Sequence, residues 1–105
     1  MPEGSEHLQI DVADKDDHTR VRLEGELDVH TAPSLAEALE QVAAGGATTI
    51  VVNASALRFC DSSGIQVLVA ARERAVEAGG SVTIEGIQGG LERVLTVTGL
   101  LDLFS

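Results

Sequence analysis

The chain has 105 residues, 44% of them hydrophobic, which suits one domain spanning residues 1–105 and makes a second core very hard to build. Seventeen acidic against seven basic side chains give a formal charge of -10, so nucleic acid and anionic membrane surfaces repel it; a basic protein partner fits better, although acidity also simply keeps a small domain soluble. One cysteine, Cys60, excludes an internal disulfide framework, and two aromatics, Phe59 and Phe104, supply no platforms for stacking bases or sugars and leave the core to aliphatic side chains.

The opening residues MPEGSEHLQI carry acids where a secretory signal needs a basic start, and no apolar run approaches the ~20 residues of a membrane span. With Cys60 beside apolar Phe59, a packed thiol in a reducing compartment is expected, and the cytoplasm fits.

HLQIDV (7–12) alternates with Leu8, Ile10 and Val12 on one side, the period of a half-buried strand. After the polar break ADKDDHT the alternation resumes in RVRLE with Val21 and Leu23, so the two strands form a hairpin. In GELDVHTAPS (25–34), Gly25 is expected to break the strand. Thr31 or Ser34 can accept backbone N–H bonds at a helix start, where Pro33 is tolerated. Leu35, Leu39 and Val42 then share one helical face, closed by Gly45-Gly46. Ile50-Val51-Val52 is an uninterrupted apolar row, expected in a strand covered on both faces inside the sheet. From Gly64 the period returns to three and four through Ile65, Leu68, Val69, Arg72 and Val76, and Gly79-Gly80 supplies the stop. SVTIEG gives a short strand with Val82 and Ile84, QGGLERVLTVTG a third helix carrying Leu91, Val94 and Leu95, and LLDLF an extended or loosely helical tail. The fold class that follows is α/β: a mixed sheet of four to five strands with helices packed mainly on one face, and parallel strands at either end of the unit from Ile50 to Ile84.

Little catalytic chemistry is available. A nucleophile elbow needs glycine two positions before its serine, and Cys60 and Asp61 occupy those places before Ser62 and Ser63. Of the histidines, His7 and His18 fall at the first strand and in the hairpin turn; only His30, in the loop before the first helix, can share an end of the sheet with Ser62. No phosphate-binding GxxxxGK[ST] is present, Asp14, Asp16 and Asp17 lack the pattern of a calcium loop, and no metal or cofactor is implied. A non-enzymatic role is expected.

The triplet Asp61-Ser62-Ser63 remains. Asp and Ser are common helix caps, and a cap needs one oxygen; three in succession leave a hydroxyl over at the positive end of a helix, where a phosphate is well tolerated. Both readings, cap and modification site, stand on these residues.

GELDVHTA (25–32), NASALRFCDSSG (53–64) and GLLDLF (99–104) together resemble an anti-sigma factor antagonist of the STAS domain family, over about residues 21–104. The resemblance implies a cytoplasmic bacterial regulator that binds an anti-sigma factor, itself an ATP-dependent serine kinase, and so frees a sigma factor; the kinase phosphorylates the antagonist and a PP2C-type phosphatase restores it. By position it implies Ser62 as phosphoacceptor and Asp61, Ser63 and Gly64 as the acceptor turn. It implies a partner-binding face of Gly25, Glu26, Asp28, His30 and Thr31 beside Ser62, with Gly64 letting the partner approach the backbone. Asn53 stands where the family often has aspartate, and Gln66 where glycine is common. The alternative within the family is a non-switching scaffold or a subunit of a signalling or lipid-transport complex.

Overall fold

The alternating segments near the start of the chain build one half of a five-stranded sheet. In the computed structural model, which describes residues 4, 5 and 7–104, a two-residue strand β1 (Gly4–Ser5) pairs antiparallel with β2 (Leu8–Asp14), and β2 pairs antiparallel with β3 (Thr19–Leu27). The chain then alternates helix and strand: α1 (Ala32–Ala44), β4 (Thr49–Cys60), α2 (Ser62–Glu77), β5 (Ser81–Glu85) and α3 (Gly89–Thr98), followed by a single 3-10 turn at Leu101–Leu103. β4 runs parallel to both β3 and β5, so the spatial order is the sequence order and the sheet is mixed.

The core is aliphatic, as the shortage of aromatics requires. Leu8, Leu23, Leu27, Leu35, Leu39, Leu68, Leu91 and Leu95 are sealed between sheet and helices. The tail contributes the one large ring: Phe104 is fully buried, and its carbonyl accepts the Ile84 N–H at 2.9 Å, which covers the outer edge of β5.

Several local expectations need correction. Gly25 does not end β3; the strand continues to Leu27, because glycine alone accepts the left-handed φ of 117° there while Glu26 N–H bonds the His7 carbonyl at 2.7 Å. Val12 is 46% exposed, since a groove between β2 and α1, lined by Val12, Ala38, Gln41 and Val42, keeps the helix off it. The apolar row at β4 is covered on one face only: Ile50 and Val52 are buried, whereas Val51 is half-buried on a face crossed by the Arg20–Glu85 ion pair at 2.9 Å and the Arg22–Glu24 pair at 3.0 Å. In α2 the buried stripe drifts from Leu68 to Ala71 and Ala75, leaving Val76 exposed.

β4 is also longer than the apolar run that announces it. Its buried residues are Ile50, Val52, Ala54, Leu57 and Cys60: the spacing is two, then three. Each step of three marks one extra residue. Asn53 pairs with Arg22 but Ala56 with Glu24, and Leu57 pairs with Gly25 but Phe59 with Glu26, so two bulges interrupt the ladder before the strand reaches Asp61.

Candidate functional site

β3 and β4 end side by side. Leu27 is opposite Cys60, and the Asp61 N–H donates to the Leu27 carbonyl at 3.1 Å, so the loop after β3 and the turn after β4 emerge at the same end of the sheet. Asp28, Val29 and His30 therefore stand beside the triplet Asp61-Ser62-Ser63.

Asp61 is the helix cap. Its backbone is extended, and its Oδ1 accepts the Ser63 N–H at 2.9 Å, satisfying one of the N–H groups that a helix start leaves without an intrahelical partner. Ser62, the first residue of α2, is exposed, and among the described residues its hydroxyl has no hydrogen-bond partner. Ser63 is half-buried. Capping thus falls to the carboxylate, and one hydroxyl is left over at the positive end of a 16-residue helix.

Gly64 faces inward. It is buried, and a Cβ there would stand 2.6 Å from Leu27 Cδ2, so the missing side chain admits the Leu27 side chain and not an approaching partner. Helix α2 can start directly against the end of β3 only because this position is glycine.

The facing loop is tied by a small network. Asp28 Oδ1 accepts the N–H groups of His30 at 2.9 Å and Thr31 at 3.0 Å. Thr31 is 1% exposed; its hydroxyl donates to the Glu26 carbonyl and accepts the Asp28 N–H, both at 2.9 Å. Thr31 is therefore an internal brace for the loop, and α1 begins without a side-chain cap from it. Partial burial would raise the Asp28 carboxyl, but the N–H groups of Thr31 and His30, the Thr31 hydroxyl and the nearby His30 ring outweigh it and hold the pKa below its ordinary value.

Of the residues grouped by the sequence, Gly25, Thr31 and Gly64 are interior and shape the backbone, Glu26, Asp28, Asp61 and Ser63 are half-exposed, and only His30 and Ser62 are fully presented to solvent. Cys60 is buried, its thiol pushed up to about 11 by desolvation and then by the Asp61 charge, which suits a packed, unreactive group.

The sequence reading missed two large apolar side chains at this end. Val29 is 61% exposed between Asp28 and His30, and Phe59, which the sequence placed with the packed Cys60, is 49% exposed because the second bulge turns it to the other face. Arg58, the extra residue at that bulge, is exposed as well. On the helical side, a shallow groove of about 350 Å³ starts at Ser62 and runs between α2 and α3 past Ile65, Val69, Val94 and Leu100. Among the described residues no group of three His, Cys, Asp or Glu side chains is placed to hold a metal ion, and no helix is long and apolar enough to cross a membrane.

Comparison with known proteins places this geometry in a family. The family described as Mlab, STAS domain matches residues 10–105. The anti-sigma-B factor antagonist of Bacillus subtilis (strain 168) is 31% identical over 97 residues, covering 92% of this chain and 88% of its own, and that of Staphylococcus aureus (strain NCTC 8325 / PS 47) is 31% identical with 92% and 90% covered. Among solved structures, an anti-sigma factor antagonist from Mycobacterium paratuberculosis superposes with a TM-score of 0.79 at 31% identity, over 96% of this chain and 86% of its own. The anti-sigma factor antagonist SpoIIAA in its unphosphorylated form superposes with a TM-score of 0.75 at 29% identity, over 90% and 84%. Matched along nearly its whole length in both sequence and fold, the chain belongs to the STAS domain family.

Proposed function

We propose that this protein is an anti-sigma factor antagonist: it binds an anti-sigma factor that is also a serine kinase, releases a sigma factor, and is switched off by phosphate on Ser62. The observation that carries this reading is the division of labour in the triplet. Asp61 caps α2, so the exposed Ser62 hydroxyl has no structural duty and is available to a kinase. The names of its relatives, anti-sigma factor antagonists, supply the partner class.

In the modification step Ser62 Oγ attacks the γ-phosphorus of ATP, the bond from that phosphorus to the β-phosphate oxygen breaks, ADP leaves, and the hydroxyl proton passes to a base on the kinase. A PP2C-type phosphatase hydrolyses the phosphoserine. The product carries roughly -1.5 to -2 added charges at the first turn of α2, where N–H groups and the helix dipole tolerate an anion, so the domain keeps its shape. The partner does not tolerate it. A dianion at the Ser62 end of the apolar α2–α3 groove must be desolvated without compensation when a partner docks there, and each ~1.4 kcal/mol of that cost is tenfold in affinity.

The test is incubation of the intact protein with an anti-sigma kinase and MgATP, followed by intact mass and peptide mapping. One phosphate on Ser62, absent from Ser62→Ala, supports the switch. A protein that forms a stable complex with that kinase yet takes up no phosphate is instead a non-switching scaffold.

A further inference from the structure

Where β5 stops, something else continues its ladder. β4 and β5 pair only from Thr49 opposite Ser81 to Asn53 opposite Glu85, whereas β4 runs on to Cys60. The carbonyls of β4 beyond Asn53 on that side have no β5 partner in the stretch where two bulges interrupt the β3–β4 ladder. Gln88 supplies it. Its Nε2 donates to the Leu57 carbonyl at 2.9 Å and to the Ala54 carbonyl at 3.3 Å, spending both amide hydrogens on two acceptors that lie three residues apart across the bulged segment.

The surrounding sequence is arranged for this contact. Gly86 turns the chain off β5 at a φ of 71°, and a Cβ there would come within 2.9 Å of Ser55, so the approach to the bulge needs glycine. Asn53 holds the other side, its Oδ1 accepting the Ser55 N–H at 3.0 Å and hydroxyl at 2.6 Å. Gln88 occupies the N-cap of α3 and makes no cap bond with its side chain. Glutamine is not among the favoured caps there; the position breaks a local rule and the amide is used on β4 instead.

We propose that Gln88 is a positioning residue for the Ser62 site: its amide pins the bulged part of β4 and thereby sets where Arg58, Phe59, Asp61 and Ser62 stand at the end of the strand. The link to partner binding rests on the function proposed above; the link to β4 geometry does not.

Cys60 is the natural reporter, because it is the one thiol, it is buried, and it lies between the pinned segment and Ser62. Labelling of Cys60 by a disulfide reagent under native conditions measures how often this strand end opens. Gln88→Met, which keeps length and removes the donors, is expected to raise the labelling rate roughly tenfold, equivalent to about 1.4 kcal/mol of local opening. The global urea midpoint should fall by much less than that rise demands, and Gln88→Glu, which puts a carboxylate against two carbonyls, should label faster still. Unchanged labelling in a folded Gln88→Met, or labelling that tracks global unfolding alone, overturns the proposal. Should Gln88→Met prove too unstable to purify, Gln88→Asn at wild-type stability serves, and its labelling rate decides by the same criterion. In the functional arm, Gln88→Met should raise the KM of the kinase for this protein more than it lowers kcat. Wild-type protein that takes up no phosphate overturns the functional reading and leaves the labelling result to judge Gln88.

Discussion

Gly25→Ala separates a backbone role from a partner contact at a residue the family resemblance assigns to the binding face. The added Cβ would be driven into the His7 carbonyl and lie 3.1 Å from its carbon, and the residue would have to hold a φ of 117°. A left-handed conformation of this kind costs of order 1–3 kcal/mol for a residue with a side chain. Moving His7 away stretches the Glu26 N–H to His7 carbonyl bond, worth about 0.5–1.5 kcal/mol. The two together give about 1.5–4.5 kcal/mol. At ~4–8 °C per kcal/mol for a chain of this size, thermal unfolding followed by circular dichroism should shift down by roughly 6–36 °C. Below its transition the variant should still take up phosphate on Ser62, since Gly25 is buried and presents nothing to a kinase. A Tm within 3 °C of wild type would refute the close approach of Gly25 to the His7 carbonyl, and a stable variant that loses its partner would return Gly25 to the binding face.

Ser62→Asp should weaken partner binding tenfold or more by titration calorimetry while moving Tm by no more than about 3 °C, because the helix terminus gives back about 0.3–1 kcal/mol and the neighbouring Asp61 charge takes a similar amount. A large destabilisation would mean that Ser62 is structural. The Asp28 carboxyl titrates below its ordinary value in the folded protein, so the stability it lends is complete above the unfolded value of 3.8 and is lost as the pH falls through the lowered one. Urea titrations of wild type and Asp28→Ala should accordingly differ at pH 6–7 and converge as the pH drops below 4; a gap that widens on acidification contradicts the direction. Phe104→Ala empties a fully buried site and should cost about 3–5 kcal/mol in urea unfolding with the m-value unchanged. A cost under 1 kcal/mol would show that the tail does not seal β5.

Short-range patterns in the sequence are legible wherever side-chain period and backbone agree. The hairpin, the three helices and the Val82–Ile84 strand all appear as alternation or as three-and-four spacing closed by glycine, and the DSSG block announces both a cap and a spare hydroxyl. What escapes is what depends on two segments meeting. Nothing local distinguishes the NASALRFC stretch, where buried positions step by three, from a loop, because a bulge is recognised only against the register of the neighbouring strand. For that reason the sequence reads Phe59 only as the apolar neighbour of a packed Cys60, and Gln88 as no more than the approach to a helix.

The glycines show the same limit from the other side. The sequence reads Gly25 as a strand break and the family resemblance gives Gly64 to close partner approach, yet each is buried against a specific neighbour, the His7 carbonyl for one and the Leu27 side chain for the other. With Thr31 braced between Glu26 and Asp28, they lock the two turns that flank the site into one rigid end of the sheet. Rigidity there has a functional consequence. Charge added at Ser62 cannot be relieved by letting the turn drift inward or the loop swing aside, because the helix cap, the inward glycine and the Asp28 network each fix a different part of the frame. If Ser62 is the phosphoacceptor, as proposed above, the penalty of the phosphate should then fall on the docked partner, and one modified hydroxyl would change affinity with little change of fold.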